Sequence, residues 1–278
     1  MKRRSAVDVD IVSLSDVGQK RSTNQDAYGS FGRPSGERLL VIADGMGGHR
    51  GGEVASQVAV AAIQAAFETS TAAPDELLLD AFQEANVRVR ERAHREPQLA
   101  GMGTTGVALW LGKKGRAWVA HVGDSRAYRL RDGILEPLTS DHSVVGELLR
   151  RGLLSPAEAD AHPRRNELIR SIGSMEEMEI DVAQIDARPG DRFLLCSDGL
   201  CCVVDDAEIE QVLSRASTDE AAHELIEIAK ARGGPDNITV QVAAVGGHTY
   251  TSAALLRSIA IAAACALVLL AALLWLAR

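Results

Sequence analysis

The chain has 278 residues, 46% of them hydrophobic and 24% charged, enough apolar material for a sizeable core. A formal net charge of -8 offers no basic surface to a polyanion, which argues against nucleic acid as a partner. The cysteines, Cys196, Cys201, Cys202 and Cys265, lack the paired spacing with histidines that builds a zinc site and read as reduced, mostly buried thiols.

Residues 1–7 form a short N-terminal tail, in which Met1-Lys2-Arg3-Arg4 is followed by no apolar stretch of signal-peptide length. The folded part is therefore expected in the cytoplasm. Short apolar or alternating runs at residues 9–14, 39–43, 107–111, 117–122, 126–130, 193–196 and 238–245, bounded by Gly, Asp or Pro, predict strands. Asp132-Gly133 between two such runs predicts a tight antiparallel hairpin. Apolar residues recur at helical spacing over 52–69 and 75–95, the second run opened by Pro74, and again over 206–214 and 218–232, the last closed by Gly233-Gly234-Pro235. Strands grouped with strands and helices with helices predict an α+β fold. Residues 140–173 are polar and predict short helices at 144–151 and 156–161, as an insertion beside the core.

The domain is expected to end near residue 246, with a flexible link over 247–254. Residues 259–277 are unbroken in apolar character, about 28 Å long as a helix and close to a bilayer's hydrocarbon thickness. Together with Arg257, Trp275 and Arg278 as interfacial anchors, they predict a transmembrane tail anchor over 255–277, hence a membrane-bound protein with its catalytic domain cytoplasmic.

Aspartates punctuate the ends of the apolar strands: Asp44-Gly45, Gly123-Asp124, Asp198-Gly199 and Asp236-Asn237. Any one of them alone is turn chemistry. Gathered at one sheet edge they would repel unless a cation sat among them, and carboxylates with backbone carbonyls suit Mn2+ or Mg2+ rather than zinc. Two such ions can share a water, lower its pKa from about 16 towards neutrality and hold a phosphoryl group, which points to phosphoester hydrolysis. Arg21, five residues before Asp26, supplies a guanidinium able to grip phosphate oxygens. Cys201-Cys202 and the acidic run Glu176, Glu177, Glu179, Asp181 read as packing and as a solvated face.

Gly18-x-x-Arg21-x-x-Asn24-Gln25-Asp26, Asp44-Gly45-Met46-Gly47-Gly48-His49, Gly101-Met102-Gly103-Thr104-Thr105, Gly123-Asp124-Ser125-Arg126, Ser197-Asp198-Gly199 and Gly234-Pro235-Asp236-Asn237-Ile238-Thr239 together resemble the ordered signature of PPM-type (type 2C) metal-dependent protein serine/threonine phosphatases, bacterial branch. The resemblance covers residues 9–245. It implies a four-layer α/β/β/α sandwich with two central antiparallel sheets. It also implies that Asp44 bridges two metals, Gly45 lends its carbonyl, and Asp198 and Asp236 hold the pair. Asp26 would support the site through water, Asp124 with Asp198 would form a third, weaker metal position, and Arg21 would bind phosphate. Residues 140–173 correspond to the family's flap, which influences substrate choice. Animal members carry a histidine where this chain has Met46, so the proton donor is open; His49 and His142 read as structural histidines. The expected function is removal of phosphate from phosphoserine and phosphothreonine in proteins phosphorylated by a bacterial serine/threonine kinase. The rival reading is a membrane-tethered pseudophosphatase, for which the mark would be a lost ligand.

Overall fold

The computed structural model describes residues 8–47 and 50–246. The chain opens with β1 (Val9–Asp16), β2 (Asp26–Gly32) and β3 (Arg38–Met46), then the helix pair α1 (Gly51–Thr69) and α2 (Pro74–Arg95). Strands β4 (Gly103–Thr104), β5 (Gly106–Leu111), β6 (Arg116–Val122), β7 (Arg126–Arg131) and β8 (Ile134–Pro137) lead into the insertion, which carries α3 (Val144–Arg150) and α4 (Pro156–Asp160). Strands β9 (Asp181–Asp186) and β10 (Arg192–Cys196) precede α5 (Asp198–Cys201), α6 (Asp206–Arg215), α7 (Thr218–Ala231) and β11 (Ile238–Val245).

The strands form two antiparallel sheets, one ordered β1-β11-β10-β7-β8 and the other β2-β3-β5-β6-β9, with the short β4 paired to β3. Period-two alternation on β3 explains how one strand serves two cores. Leu39, Val41 and Ala43 pack under α1 and α2, while Leu40 and Ile42 face the opposite sheet. There they join Val107, Leu109, Phe193 and Leu195 in the layer between the sheets. On the outer face of the first sheet, Leu194, Val240 and Val242 pack with Leu213, Leu225 and other apolar residues of α6 and α7. Strands covered on both faces read as continuous apolar runs, and β5 is buried along its whole length.

Local chemistry sets the element ends. Arg131 pairs with Ile134 across a two-residue turn in which Asp132 (φ 54°) and Gly133 (φ 83°) both take positive φ, the backbone that matches strand twist in tight hairpins. Ser217 and Glu220 form a reciprocal capping box at the start of α7. The insertion is fastened at its exit by Asn86 of α2. This fully buried side chain accepts the Gly173 N–H at 2.7 Å and donates to the Met175 carbonyl at 2.9 Å.

The expectation of a transmembrane helix is corrected. Among the described residues no helix is long and apolar enough to cross a membrane, and residues 247–278, with the linker and tail anchor assigned to them, lie outside the described residues. An alanine-rich apolar run establishes hydropathy and nothing about placement. The long helices that are described are amphipathic, α2 burying Leu78, Phe82 and Val89 while it carries Glu84, Arg88 and Glu91 outward.

Replacing Asn86 with alanine strands the Gly173 N–H and the Met175 carbonyl. It is expected to lower unfolding free energy by about 2–3 kcal/mol, read as a fall in the urea midpoint with unchanged slope.

Candidate metal and phosphate site

The strand ends at one end of the sandwich carry the candidate residues. Asp26, at the start of β2, sits directly across from Asp44, near the end of β3, in the β2–β3 register. Its Oδ2 accepts hydrogen bonds from Thr239 Oγ1 at 2.6 Å and Ser197 Oγ at 2.8 Å, while its buried Oδ1 has no partner. Asp44 is gripped through its backbone: its N–H donates to Thr105 Oγ1 at 2.9 Å, and its carbonyl accepts from Thr104 Oγ1 at 2.8 Å and the Thr105 N–H at 2.9 Å. Thr105 is in turn joined to Ser125 at 2.7 Å, next to Asp124. Asp198, the first residue of α5, brings its carboxyl within hydrogen-bonding reach of Asp44, and its buried Oδ1 is also without a partner.

Gly45 shows why no side chain is tolerated beside Asp44. An added Cβ would stand 2.0 Å from the Gly52 carbonyl oxygen and 2.5 Å from that of Gln25. The end of β3 therefore runs backbone to backbone against the start of α1. Asn237 performs the equivalent service for the loop that carries Arg21. It accepts the Gln25 N–H at 2.8 Å and donates to the Val17 and Thr23 carbonyls at 2.9 Å each. Gly18, at φ 75°, lies against the Asp236 backbone, where a Cβ would meet the Asp236 carbonyl oxygen at 2.1 Å. Arg21, half exposed, donates from Nη2 to Asp236 Oδ2 at 2.7 Å.

Every residue expected at the site thus comes together: Arg21, Asp26, Asp44, Gly45, Asp124, Asp198 and Asp236. Their electrostatics carry a clear signature of crowded negative charge. Burial, with Asp198 and Asp236 nearby, pushes the Asp26 carboxyl up to about 6 against the hydroxyls that donate to it. Burial and the neighbouring Asp198 and Asp141 push Asp124 up to about 7. Asp44 is raised well above the carboxylate range by burial and then by Asp198, Asp26 and Asp124, and Asp198 is raised by burial with Asp236 adding to it. Unpartnered buried carboxylate oxygens that repel one another fit a hard divalent cation, which would satisfy the lone pairs and cancel the repulsion.

The remaining sequence candidates are elsewhere. Met46 ends β3, and a thioether has no proton to give. His49 lies outside the described residues. His142 is buried and pushed down to about 4 by burial and by His121, and it bonds Gly123 and Asp181 rather than facing the aspartates. Asp181, read from sequence as part of a solvated face, is indeed exposed; it opens edge strand β9 and pairs with Arg170 and His142. The Cys201 thiol is raised by the Cys196 sulfur beside it, while Cys202, expected to be buried, is exposed. Sequence reasoning did not assign the supporting hydroxyls and amides of Thr105, Ser197, Asn237 and Thr239. Each lies inside a motif already singled out, and that was the available signal.

Since the carboxyls of Asp26 and Asp124 titrate above an unfolded value of about 3.9, the native state holds protons that the unfolded chain has released between about pH 4 and about pH 7. Metal-free stability should fall as pH rises through that window. Manganese at one fixed concentration, about a hundredfold its Kd at pH 7.5, should raise Tm by about 5–10 °C at pH 7.5 and by much less at pH 5, where its Kd is weaker, in melts with and without chelator. Equal shifts at both pH values would contradict this assignment.

A family described as Protein phosphatase 2C matches residues 18–238. The serine/threonine protein phosphatase PstP of Mycobacterium tuberculosis is 42% identical over 237 residues, covering 85% of this chain and 45% of that protein, so the chain spans about half the length of that relative. The serine/threonine phosphatase stp of Listeria welshimeri is 42% identical over 231 residues, covering 81% of this chain and 91% of the relative. Among solved structures, M. tuberculosis PstP/Ppp superposes with a TM-score of 0.79 at 39% identity, covering 86% of this chain and 99% of that one. The PstP catalytic domain solved in complex with 2 manganese ions gives a TM-score of 0.77 at 39% identity, covering 85% and 98% of the two chains. With a family match over most of its length and relatives of this identity, the chain belongs to the protein phosphatase 2C family.

Proposed function

We propose that the chain is a protein serine/threonine phosphatase that hydrolyses phosphoserine and phosphothreonine with Mn2+ or Mg2+. The observation that carries this reading is the convergence of Asp26, Asp44, Asp124, Asp198 and Asp236 with a guanidinium at their rim. Asp44, Asp198 and Asp236, with the Gly45 carbonyl, would hold two ions. Asp26 would support them through water, and Asp124 with Asp198 would hold a third. Bound there, divalent ions lower the pKa of water and neutralise phosphoryl charge.

What the chain itself supplies is position and sign of charge. Threonine and serine hydroxyls fix the Asp26 carboxylate and the Asp44 backbone without cancelling charge, because neutral donors satisfy one carboxylate oxygen of Asp26 and leave the other unpartnered. Arg21 presents a planar fork of donors suited to two phosphate oxygens, and its half-exposed contact with Asp236 leaves it free to turn to an incoming phosphate. The substrates we propose are proteins phosphorylated by a serine/threonine kinase. Asp44, Asp198 and Asp236 are all present, so no observation favours the rival pseudophosphatase reading.

The test is hydrolysis of a phosphothreonine peptide by the full chain, with manganese or with chelator. Activity is expected to require the metal, and Asp198→Asn should lower kcat about a thousandfold, roughly 4 kcal/mol. Arg21→Ala should raise KM about tenfold, roughly 1.4 kcal/mol, with a smaller effect on kcat. A chain that binds manganese yet turns over no phosphopeptide would sink the phosphatase reading.

A further inference from the structure

The first residues of the insertion grip the β6–β7 turn that carries Asp124. The Ser140 carbonyl accepts from His121 Nε2 at 3.0 Å. Asp141 takes the Arg126 guanidinium in two parallel bonds of 2.8 and 2.7 Å. The His142 N–H donates to the Gly123 carbonyl at 2.9 Å, and the Gly123 N–H donates to His142 Nδ1 at 3.3 Å, so one residue closes on both faces of the Gly123 backbone. Ser143 then caps α3.

The second of those contacts fixes the imidazole's chemistry. A neutral imidazole that accepts at Nδ1 carries its proton on Nε2, and Nε2 stands 3.3 Å from Asp181 Oδ2. Asp181 is itself held by Arg170 Nη1 at 2.9 Å, and the ring of His121 stacks on that of His142 with centroids 4.4 Å apart. Burial and the neighbouring His121 hold the His142 pKa down to about 4, which keeps the ring neutral across the working pH range.

His121, His142 and Asp181 could be taken for a metal cage, since one ligand atom from each lies within 4.8 Å of the others. The bonding speaks against it. The Nδ1 lone pair of His142 is taken by Gly123, its Nε2 carries a proton, and the Arg170 guanidinium, 3.2 Å from Nε2, puts a positive charge where a cation would enter.

We propose that His142 is a positioning residue for Asp124: Asp181 orients the imidazole, the imidazole holds the Gly123 peptide, and the peptide sets the carboxylate that follows it. The inference rests on the reading of Asp124 as a metal carboxylate. It makes the weakest metal position depend on the base of the flap, because the residue that clamps Gly123 also receives the Ile169 N–H through its carbonyl at 2.8 Å.

Substitutions separate the two ends of the ring. His142→Asn puts an amide oxygen near the place of Nδ1 and keeps the acceptor for Gly123. His142→Gln reaches towards Asp181 but loses Gly123, and His142→Ala loses both. Calorimetric manganese titration of the full chain should show the weakest site loosened about tenfold in the Gln and Ala variants and largely restored in the Asn variant. The tighter sites should change less than about twofold, and kcat on a phosphothreonine peptide should follow the weak site while KM does not. Imidazole 15N NMR of the chelated wild type should find Nδ1 bare and Nε2 protonated. The inference is overturned by a proton on Nδ1, by a Gln variant that titrates like wild type, by an Asn variant that falls with Ala, or by zinc bound in wild type and lost in the Ala variant. None of the NMR or titration readouts needs turnover. A wild-type chain that shows them yet cleaves no phosphopeptide would sink the phosphatase reading and leave this one standing.

Discussion

The carboxyl groups of Asp26, Asp44, Asp124, Asp198 and Asp236 share one end of a β-sandwich, and their mutual repulsion is the constraint around which the neighbouring structure is arranged. Left alone, such a cluster would spread towards water or take up protons. It cannot spread, because each aspartate is tied to the stiffest parts of the fold. Asp26 and Asp44 are cross-strand partners, Asp198 starts a helical turn directly after β10, and Asp236 precedes β11 beside the buried Asn237. Rigidity of the sheets is thus turned into a fixed arrangement of negative charge, and a divalent cation held there would relieve the repulsion that remains.

The supporting groups share one property: they are neutral. Thr104, Thr105, Ser197, Asn237 and Thr239 orient backbone and carboxylates without adding positive charge at the centre. A lysine or arginine in their place would pair with the carboxylates and displace the cation they suit. Formal positive charge is kept to the periphery, where Arg21 meets Asp236 and Arg126 meets Asp141. In the proposed function, that placement would separate two tasks, holding a cation among carboxylates and receiving a phosphate at the rim, that would otherwise compete for the same ligands.

Much of this was legible in the residues. The apolar runs of β3, β5, β6 and β10, the helix pair opened by Pro74, and the Asp132-Gly133 hairpin all stand where periodicity and turn chemistry put them, because buried strands and capped helices write their pattern locally. Strands β2 and β9 escaped, and for a physical reason. Both are edge strands; β2 reads Asp-Ala-Tyr-Gly-Ser-Phe-Gly, with the Phe31 ring lying over Gly29, and β9 exposes Asp181, Ala183 and Gln184 and fully buries none of its residues. Edges need little apolar surface, so hydropathy gives them no mark. Asp44, Asp124, Asp198 and Asp236 stood out because several turn-like dipeptides together made an improbable concentration of charge, whereas Arg21 and Asp26 took their expected roles from the family resemblance. Their hydroxyl and amide supports were not assigned roles, since the spacing of Thr239 from Asp26 in sequence, 213 residues, says nothing of their contact. The run over 259–277, read as a transmembrane anchor from hydropathy alone, lies outside the described residues.

The histidines place a last limit on how the chemistry is shared. At the position where animal members of the family carry a histidine, Met46 provides no proton, and both nitrogens of His142 are committed away from the aspartates, to Gly123 and Asp181. His121, also buried and with its pKa lowered chiefly by burial, donates from Nε2 to the Ser140 carbonyl. Among the described residues, then, the site consists of carboxylates, one guanidinium and neutral hydroxyls and amides. What those groups offer is preorganised charge. Precision of placement is what such a site depends on, and the flap base, clamped to the Asp124 turn through Asp141 and His142, is one of the places where that precision is built.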